Sequence, residues 1–305
     1  MTIKSEERSN VEPIRYLHMM DNEGVLNQKV SDIAGLVEPG IILGHGSSSG
    51  HLINEIKNVF EDSQCVGIDV SSDMISLARS NFNNVEFVKD NITNQVYEEN
   101  HVDTIICSST LHELWSEHLY SDTPAFDALK DYFSVVKKQL GQSGVFVIRG
   151  VGDFGDHKSY EVVDAEITDD DGLDYRGEGM PAGLLSTQAR FRKFVNDFVR
   201  DIEYSLTKDG RFRTKLKNIW EFCLTKDYTN VWELEMTEEF CGFDCLDVMN
   251  SLIEQDFIID FNRSYTNPWV KNNRLKNKVG LYKKDTNDKL AYPPTNFVIK
   301  AVPKE

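Results

Sequence analysis

The stretch GIILGHGSSSGHLINEI, residues 40–56, decides the fold of this chain. Its first part is a short apolar run typical of a buried strand, and its last part has apolar residues at helical spacing. Between the two parts, Gly44 and Gly46 allow the backbone to turn tightly and to approach a ligand closely. Ser47 to Ser49 are placed to cap the helix, whose N-terminal amides would point back at the turn. The stretch therefore predicts a strand, a glycine turn that carries a ligand, and a helix.

The same alternation of strands and helices continues along the next hundred residues. Further apolar runs predict strands at CVGIDV (65–70), VEFVKDNI (85–92), VDTIICSSTL (102–111) and GVFVIRG (144–150). Helix-like segments separate several of these runs, the clearest being PAFDALKDYFSVVKKQL before the turn GQSG. This order predicts an α/β fold with a doubly wound, mostly parallel sheet. Such a sheet binds ligands at the carboxyl ends of its strands, near the switch in strand order.

The character of the sequence changes near residue 155, where an acidic, glycine-rich loop (DDDGLDYRGEG) is followed by long helix-like segments. The last 65 residues of the chain offer a helix and strands that could return to the sheet. The expected organisation is a helical lead-in (1–39), a ligand-binding α/β core (40–154), an inserted helical lid (155–240), and a C-terminal helix with strands that complete the sheet (241–305).

Composition and charge limit the classes of function. The net charge of −17 on 305 residues argues against indiscriminate binding to nucleic acid. Two basic runs stand out: residues 190–217 hold nine Lys/Arg against four Asp/Glu, and residues 263–284 hold seven Lys/Arg and no acid. They read either as solvated surface or as electropositive walls that meet an anionic substrate. Five scattered cysteines and the lack of a long apolar run favour a reduced, cytoplasmic protein without a membrane span.

Acidic and amide side chains end the second and third predicted strands. Asp69 follows the glycine turn by 23 residues, and a carboxylate at that place can accept two hydrogen bonds from a ribose diol. Asp90 and Asn91 end the third strand and could bond an adenine amino group. A glycine turn with acids ending both following strands therefore indicates a nucleoside-containing ligand.

These motifs resemble those of the class I S-adenosylmethionine-dependent methyltransferases over about residues 38–150. ILGHGSSSG is similar to their first motif, VGIDVSSDMISLAR to the second, FVKDNI to the third and VDTIICSSTLHEL to the fourth. The resemblance implies a Rossmann-like, seven-stranded fold and S-adenosylmethionine as the cofactor. It implies that Asp69 holds the ribose, that Met74, Asp90 and Asn91 lie at the adenine, and that Cys107, Ser108 and Ser109 lie beside the methionine part. The residues expected to bind the cofactor are Gly44, His45, Gly46, Ser47, Asp69, Val70, Met74, Asp90, Asn91, Ser108 and Ser109.

The glycine turn departs from the family at two positions. Ile42 stands where the family usually has an acid, and Ser48 stands at its third glycine. His45, or an acid from the N-terminal segment such as Asp21 or Glu23, could replace the missing contact with the methionine amino group. Two other readings of the turn stay open: an NADP-dependent oxidoreductase, which Asp69 disfavours because it would repel a 2′-phosphate, and a scaffold whose cofactor site is vestigial.

The segment STLHELWSEH, directly after the fourth predicted strand, supplies the candidates for catalysis. His112 is the expected general base, and Glu113 could orient it or act as a second base. Trp115 could form one side of the acceptor-binding site. A buried histidine with a structural hydrogen bond is the alternative for His112. The spacing does not suit zinc, because His112 and His118 are six residues apart and fall on different helical faces. No metal is expected.

The predicted lid and the C-terminal segment supply the candidates for acceptor binding. They are aromatic or basic side chains: Arg190, Arg263, Tyr265 and Trp269, with Arg192, Lys193, Lys271 and Arg274 beside them. Such a rim suits an anionic acceptor or a short stretch of RNA. The expected function is methyl transfer to an oxygen or nitrogen of a small acceptor, and the alternatives are an RNA or protein methyltransferase and a non-catalytic scaffold. The sequence leaves the oligomeric state open.

Overall fold

The computed structural model describes residues 23–155, 157, 161–177 and 179–304. The strands are β1 (Ile41–His45), β2 (Gln64–Asp69), β3 (Glu86–Lys89), β4 (Val102–Ser108), β5 (Leu140–Val151), β6 (Val162–Ile167), β7 (Tyr204–Leu206), β8 (Phe212–Lys215), β9 (Phe257–Tyr265), β10 (Val279–Lys283), β11 (Lys289–Leu290) and β12 (Asn296–Pro303). The helices are α1 (Glu23–Ile33), α2 (His51–Val59), α3 (Ser72–Asn81), α4 (Leu111–Glu117), α5 (Ala125–Gln139), α6 (Thr187–Asp197), α7 (Leu216–Thr225), α8 (Trp232–Glu235), α9 (Cys245–Glu254) and α10 (Pro268–Val270).

The described residues form two compact units, and the first contains those from Glu23 to Val151 together with Cys245–Arg263 and the strand from Phe297 onward. Its seven-stranded sheet has the order β3-β2-β1-β4-β5-β12-β9. Strands β1, β2, β3, β4 and β5 pair in parallel wherever they are neighbours. This confirms the predicted doubly wound, mostly parallel sheet. Strands β2 and β3 follow β1 on one side of the sheet, and β5 follows β4 on the other side. The switch point therefore lies between β1 and β4.

Small and apolar residues at the centre of this sheet explain its close packing. Helix α2 packs so closely on Gly44 of β1 that an added Cβ would lie 3.3 Å from the Ile53 side chain. The Ile53 and Ile56 side chains are buried in the same core cluster as Ile33 of α1. The apolar spacing that predicted α2 therefore marks the face that packs on the sheet.

Two local expectations in this unit differ from the structure. Helix α2 is capped by Gly50 in the left-handed conformation, with no side-chain cap from the preceding serines. The serines instead form a tight turn, in which the Gly50 N–H donates to the Ser47 carbonyl at 2.9 Å and Ser48 has φ of 47°, so the helix begins after Gly50. The expected turn GQSG lies inside β5, which starts at Leu140, and the register between β4 and β5 shifts beside it. An extra segment is therefore accommodated as an irregularity of the strand.

The second unit comprises Gly152–Asp244 and Ser264–Asn296. It adds to the expected helices a five-stranded sheet of order β11-β10-β6-β8-β7, whose pairs are all antiparallel. Strands β7 and β8 span only three and four residues within a basic run, so their sequence shows no alternating pattern. The segment VGLYKK, expected in the main sheet, is β10 of this second sheet. Phe191 of α6 packs against Phe212 of β8, with ring centroids 5.0 Å apart.

Two further observations bear on the expected class of protein. All five cysteines of the sequence are free and buried. No helix among the described residues is both long and apolar enough to cross a bilayer.

Candidate functional site

Asp69, at the end of β2, ties together the two loops that follow β1 and β2. Its carboxylate accepts the backbone N–H of Ser48 at 2.8 Å and that of Ser71 at 2.9 Å. Burial raises the pKa of the Asp69 carboxyl, while the backbone hydrogen bonds from Ser71, Ser48 and Val70 lower it. Ser48 has a left-handed backbone with φ of 47°, which turns its amide onto this carboxylate. The carboxylate is therefore fixed at the edge of the sheet with both loops held against it.

The glycine turn after β1 lies directly against the loop after β4. Gly46 has φ of 67°, and a Cβ at this position would lie 2.2 Å from Thr110 Oγ1. The Thr110 hydroxyl donates to the Ser108 carbonyl at 3.3 Å. These contacts bring the predicted Gly46 and Ser108 together at the switch point of the sheet. Only glycine allows this close approach.

A buried ion pair supports the loop after β4. Ser109 has φ of 59°, and its N–H donates to the Arg149 carbonyl at 2.7 Å. Arg149 Nη1 also donates to Ser109 Oγ at 3.3 Å, and Arg149 Nε donates to Asp32 Oδ2 at 2.9 Å. Asp32 belongs to α1, so this helix, the end of β5 and the Ser109 turn are connected through one carboxylate.

His45 ends β1 in a buried polar contact. Its Nδ1 lies 2.9 Å from the Tyr132 hydroxyl of α5. Burial lowers the pKa of His45 to about 3, so the imidazole is neutral at physiological pH. Its neighbour in the β1–β4 pairing is Cys107, and burial raises the pKa of this thiol to about 12. Both side chains are uncharged donors or acceptors, and Cys107 is not a reactive thiolate.

The other predicted adenine contacts are placed around β2 and β3. The Met74 side chain is buried, with Ser48 Oγ 3.7 Å from its sulfur. The Asp90 N–H donates to the Asp69 carbonyl at 3.1 Å. Asp90 Oδ1 accepts the Asn91 N–H at 2.7 Å, so the two residues form a local turn at the strand end. The structure thus gathers Ser48, Asp69, Met74 and Asp90 along one sheet edge.

Three buried polar atoms at this edge have no hydrogen-bond partner among the described residues. They are His45 Nε2, Ser47 Oγ and Ser108 Oγ. Buried polar atoms are nearly always paired in folded proteins. A polar ligand at the switch point would supply the missing partners, and all three residues belong to the set that the sequence predicts for cofactor binding.

Comparison with known proteins agrees with this geometry. The family model described as a methyltransferase domain matches residues 40–178, which span β1 to the loop beyond β6. This segment is therefore a methyltransferase domain, and its cofactor is S-adenosylmethionine. No curated protein sequence matches the chain.

Solved structures resemble the chain at low sequence identity, and the first of those below supports the fold. A chain from the complex of the Haloferax volcanii Trm112 methyltransferase activator with its methyltransferase partner is 10% identical, with a TM-score of 0.53 and coverage of 98% of this chain and 99% of that one. An S-adenosylmethionine-dependent methyltransferase from Thermotoga maritima is 12% identical, with a TM-score of 0.48 and coverage of 97% and 100%. The glycopeptide N-methyltransferase MtfA, complexed with S-adenosylmethionine, is 10% identical, with a TM-score of 0.46 and coverage of 91% and 87%.

The residues of this methyltransferase site fit the cofactor. The unpartnered His45, Ser47 and Ser108 atoms can bond the amino and carboxylate groups of a methionine moiety, and the Asp69 carboxylate can accept from ribose hydroxyls. When bound, S-adenosylmethionine supplies an electrophilic methyl group on a sulfonium. Of the acids considered as a substitute at Ile42, Asp21 lies outside the described residues and Glu23 begins α1. Ile42 itself is fully buried in the sheet.

The catalytic candidates lie on α4, the short helix after the Ser109 turn. His112 and Trp115 are buried, and the Trp115 ring meets Phe126 edge-to-face at 4.8 Å. Glu113 is partly exposed in the first turn of the helix. Both histidine and carboxylate are therefore near the end of β4, and their catalytic roles remain predictions.

The acceptor-binding candidates divide between the two units. In the first unit, Arg263 donates to Asp32 Oδ1 at 2.8 Å, so Arg263 and Arg149 share the Asp32 carboxylate. In the second unit, Arg190 is bonded to the Ala182 carbonyl at 2.9 Å and pairs with Asp227 at 3.3 Å. The Tyr265 carbonyl accepts the Thr295 N–H, and Trp269 keeps 36% of its surface exposed. Arg263 and Arg190 thus have structural partners, while Trp269 presents an accessible ring.

Sequence reasoning missed the residues that support the turns: Asp32, Thr110, Tyr132 and Arg149. One of them carried a usable signal, because Arg149 interrupts the apolar run GVFVIRG. A charged residue in a buried strand requires a partner of opposite charge. Nothing in the spacing of the sequence identified Asp32 as that partner.

Proposed function

We propose that this methyltransferase moves the methyl group of S-adenosylmethionine to an oxygen or nitrogen atom of a small-molecule acceptor. The observation that carries the proposal is the set of unpartnered buried atoms on His45, Ser47 and Ser108 beside the fixed Asp69 carboxylate. They favour a chain that still binds its cofactor over a scaffold with a vestigial site. Asp69 likewise disfavours an NADP-dependent oxidoreductase, since a 2′-phosphate would meet a carboxylate there.

In this proposal the protein contributes alignment, exclusion of water and one proton acceptor. The Gly46–Thr110 contact and the Arg149 support hold the turns, so the reacting groups would meet in a fixed geometry. His112 would accept the acceptor's proton, and Glu113 would orient it. Trp115 would shield the acceptor from water.

The ion pairs of the basic run favour a small molecule over RNA as the acceptor. Seven of the nine basic residues in 190–217 are paired with carboxylates: Arg190, Arg192, Lys193, Arg200, Arg211, Arg213 and Lys217. Arg213 alone contacts Asp164 at 2.7 Å and also Asp285. Basic side chains that are already paired add little to phosphate binding, because nucleic-acid affinity comes from charges that replace counterions.

The proposal is tested first by calorimetric titration of the wild type with S-adenosylmethionine and S-adenosylhomocysteine. Binding justifies a screen of small acceptors with S-adenosylmethionine that carries a labelled methyl group. For an acceptor that is methylated, His112→Ala should lower kcat by at least about 100-fold with the cofactor affinity unchanged. The matched control is His118→Ala, since His118 ends the same helix and its Nδ1 lies 2.9 Å from the Leu114 carbonyl.

A folded protein, freed of co-purified ligand, that binds neither compound would exclude the transferase. Binding without labelling of any acceptor in a broad panel would favour the scaffold. Equal kcat values for His112→Ala and the wild type would remove His112 as the base.

A further inference from the structure

We propose that the second unit contains a binding site for the oxyanion of a small molecule, a carboxylate or a phosphate, centred on Arg274. The Arg274 guanidinium carbon lies 4.9 Å from the centre of the Tyr228 ring and 5.4 Å from that of the Trp269 ring. A guanidinium that contacts aromatic rings uses its faces and leaves its N–H edges available. Arginine held in this way is suited to bidentate recognition of an oxyanion.

The rings around Arg274 form a series that runs from the core to the surface. Phe240 is 5% exposed, and its ring is nearly parallel to that of Tyr228, at 18° and 6.4 Å. Trp269, at the other end of the series, is 36% exposed. Arg274 lies between these extremes and is partly buried. The series holds the guanidinium rigidly and opens toward solvent on the Trp269 side.

The guanidinium has donors to spare. Its closest partners are the faces of the two rings, and no carboxylate in the described part of the chain forms an ion pair with it. Asp227 and the buried Glu235 act on Arg274 electrostatically, and Asp227 is already shared by Lys226 at 2.6 Å and Arg190 at 3.3 Å. An arginine beside aromatic rings, with a neighbouring carboxylate committed elsewhere, is ready to accept an external anion.

The backbone that carries Arg274 is unusual and well supported. Residues Lys271–Leu275 form a π-helical turn, closed by the Lys276 N–H donating to the Lys271 carbonyl at 2.9 Å. The turn follows α10, which Asn267 caps by accepting the Trp269 N–H at 2.8 Å. At its far end the Tyr292 hydroxyl lies 3.2 Å from the Leu275 carbonyl. Single π turns are costly to maintain and occur frequently at functional sites.

The exposed face of Trp269 also indicates the shape of the ligand. A flat ring attached to the oxyanion could lie on the indole while Arg274 binds the charge. The site belongs to the second unit and needs no bound cofactor. Only the identification of this ligand with the methyl acceptor rests on the proposed function.

The test is a titration followed by NMR of the indole N–H signals of the four tryptophans. The Trp269 signal is assigned from the spectrum of Trp269→Phe. The probes are sodium benzoate and inorganic phosphate, and benzamide serves as the neutral analogue of benzoate. In the wild type we expect a saturable shift of the Trp269 signal with benzoate or phosphate at millimolar concentrations, and none with benzamide.

Three variants separate recognition from folding. Arg274→Gln should weaken binding at least tenfold, and Arg274→Lys, which keeps the charge and loses the planar fork, should retain part of it. The matched control is Arg211→Gln, because Arg211 also lies over an aromatic ring, that of Tyr282 at 3.8 Å, and is paired with Asp209. Unchanged indole signals in the absence of probe show that a variant is folded.

The site is overturned if neither anion shifts the Trp269 signal saturably, if benzamide binds as well as benzoate, or if a folded Arg274→Gln binds like the wild type. Titration with S-adenosylhomocysteine is run separately on the same proteins. Anion binding without cofactor binding would support this site and count against the proposed function, and the reverse result would remove this site alone.

Discussion

The Asp69 carboxylate accepts the backbone N–H of Ser48 at 2.8 Å. This bond crosses from the end of β2 to the loop after β1, and a second one, from Ser71 at 2.9 Å, reaches the loop after β2. One carboxylate therefore shapes both loops of the cofactor site and keeps its remaining lone pairs available. Any change at Asp69 should act on cofactor affinity through both effects.

Asp69→Asn should weaken the binding of S-adenosylhomocysteine. The asparagine amide would place an NH2 group against a backbone N–H and would remove the charge that accepts from ribose. Losing hydrogen bonds to a charged group costs about 2–3 kcal/mol, so we expect an affinity loss of roughly 30- to 150-fold by calorimetry.

Asp73→Asn is the matched control, because Asp73 is an exposed aspartate in the first turn of α3. It should leave the dissociation constant within about twofold of the wild type. If the two variants bind equally well, Asp69 is not the ribose ligand.

Gly46→Ala should damage the same site by steric conflict. A Cβ would lie 2.2 Å from Thr110 Oγ1, and the residue has φ of 67°. We expect the free energy of unfolding to fall by about 2–3 kcal/mol and cofactor binding to weaken, because the turn must move away from Thr110. Chemical denaturation and calorimetry measure the two effects.

The comparison for Gly46→Ala is Gly210→Ala. Gly210 has φ of 84° with nothing within 4 Å of an added Cβ, so it carries the backbone strain without the clash. It should cost about 1 kcal/mol and leave cofactor binding unchanged. Equal losses in both variants would mean that strain alone, and not the contact with Thr110, explains the effect.

The part of the fold that the sequence predicted depends on local pattern. The order of β1, α2, β2 and α3 followed from apolar spacing, and the capping of α3 by Ser71 follows from its place before the helix. Asp69 was recognisable because an acid at the end of a second strand has a standard use. Its bond to the Ser48 amide was not, since that bond depends on the left-handed backbone of Ser48.

The unpredicted part depends on contacts between distant residues. Asp32 and Arg149 are separated by 117 positions, and neither position alone indicates the other. Strands β7 and β8 are too short to show a period of two. Strand β7 pairs with β8, and β8 pairs with β6, about 50 residues earlier. The serine run after Gly46 suggested a helix cap, yet the serines form a turn held by the bond between the Ser48 amide and Asp69, and Gly50 is the cap.

The buried imidazole of His45 should make the free energy of unfolding depend on pH. Its pKa is lowered from 6.5 to about 3 in the folded protein because it is desolvated. Because the pKa of His45 is lower in the folded state, the folded protein binds fewer protons than the unfolded chain. The contribution of neutral His45 to the free energy of unfolding is therefore fully present above pH 6.5 and is lost as the pH falls toward 3. We expect the loss to reach about 2 kcal/mol at pH 5.

The measurement for His45 is urea denaturation at pH 7 and pH 5. His45→Asn should remove about 2 kcal/mol of the difference between the two pH values, whatever its effect on absolute stability. His101→Asn, which removes a solvent-exposed imidazole, is the comparison. The same pH difference in His45→Asn and the wild type would show that His45 is not held neutral by burial.

Replacing one partner of the Asp32–Arg149 ion pair should lower the free energy of unfolding far more than replacing both partners. The two side chains are 0% and 4% exposed, so the charge of Arg149 stays buried when Asp32 is replaced. Asp32→Asn should lower the free energy of unfolding by about 3–5 kcal/mol, and it should also loosen the Ser109 turn, which Arg149 supports at 3.3 Å. Denaturation and calorimetry measure these two losses.

Removing both charges distinguishes a buried pair from simple disruption of α1. Asp32→Asn combined with Arg149→Met should recover part of the stability lost in Asp32→Asn, because no uncompensated charge of Arg149 remains buried. Cofactor affinity should stay low in the double variant, since Ser109 still lacks its support. Glu38→Gln, in the half-exposed pair of Glu38 with Lys300 at 3.1 Å, should cost less than about 1 kcal/mol. Losses that simply add in the double variant, or a normal cofactor affinity there, would show that the pair neither balances charge nor positions the turn.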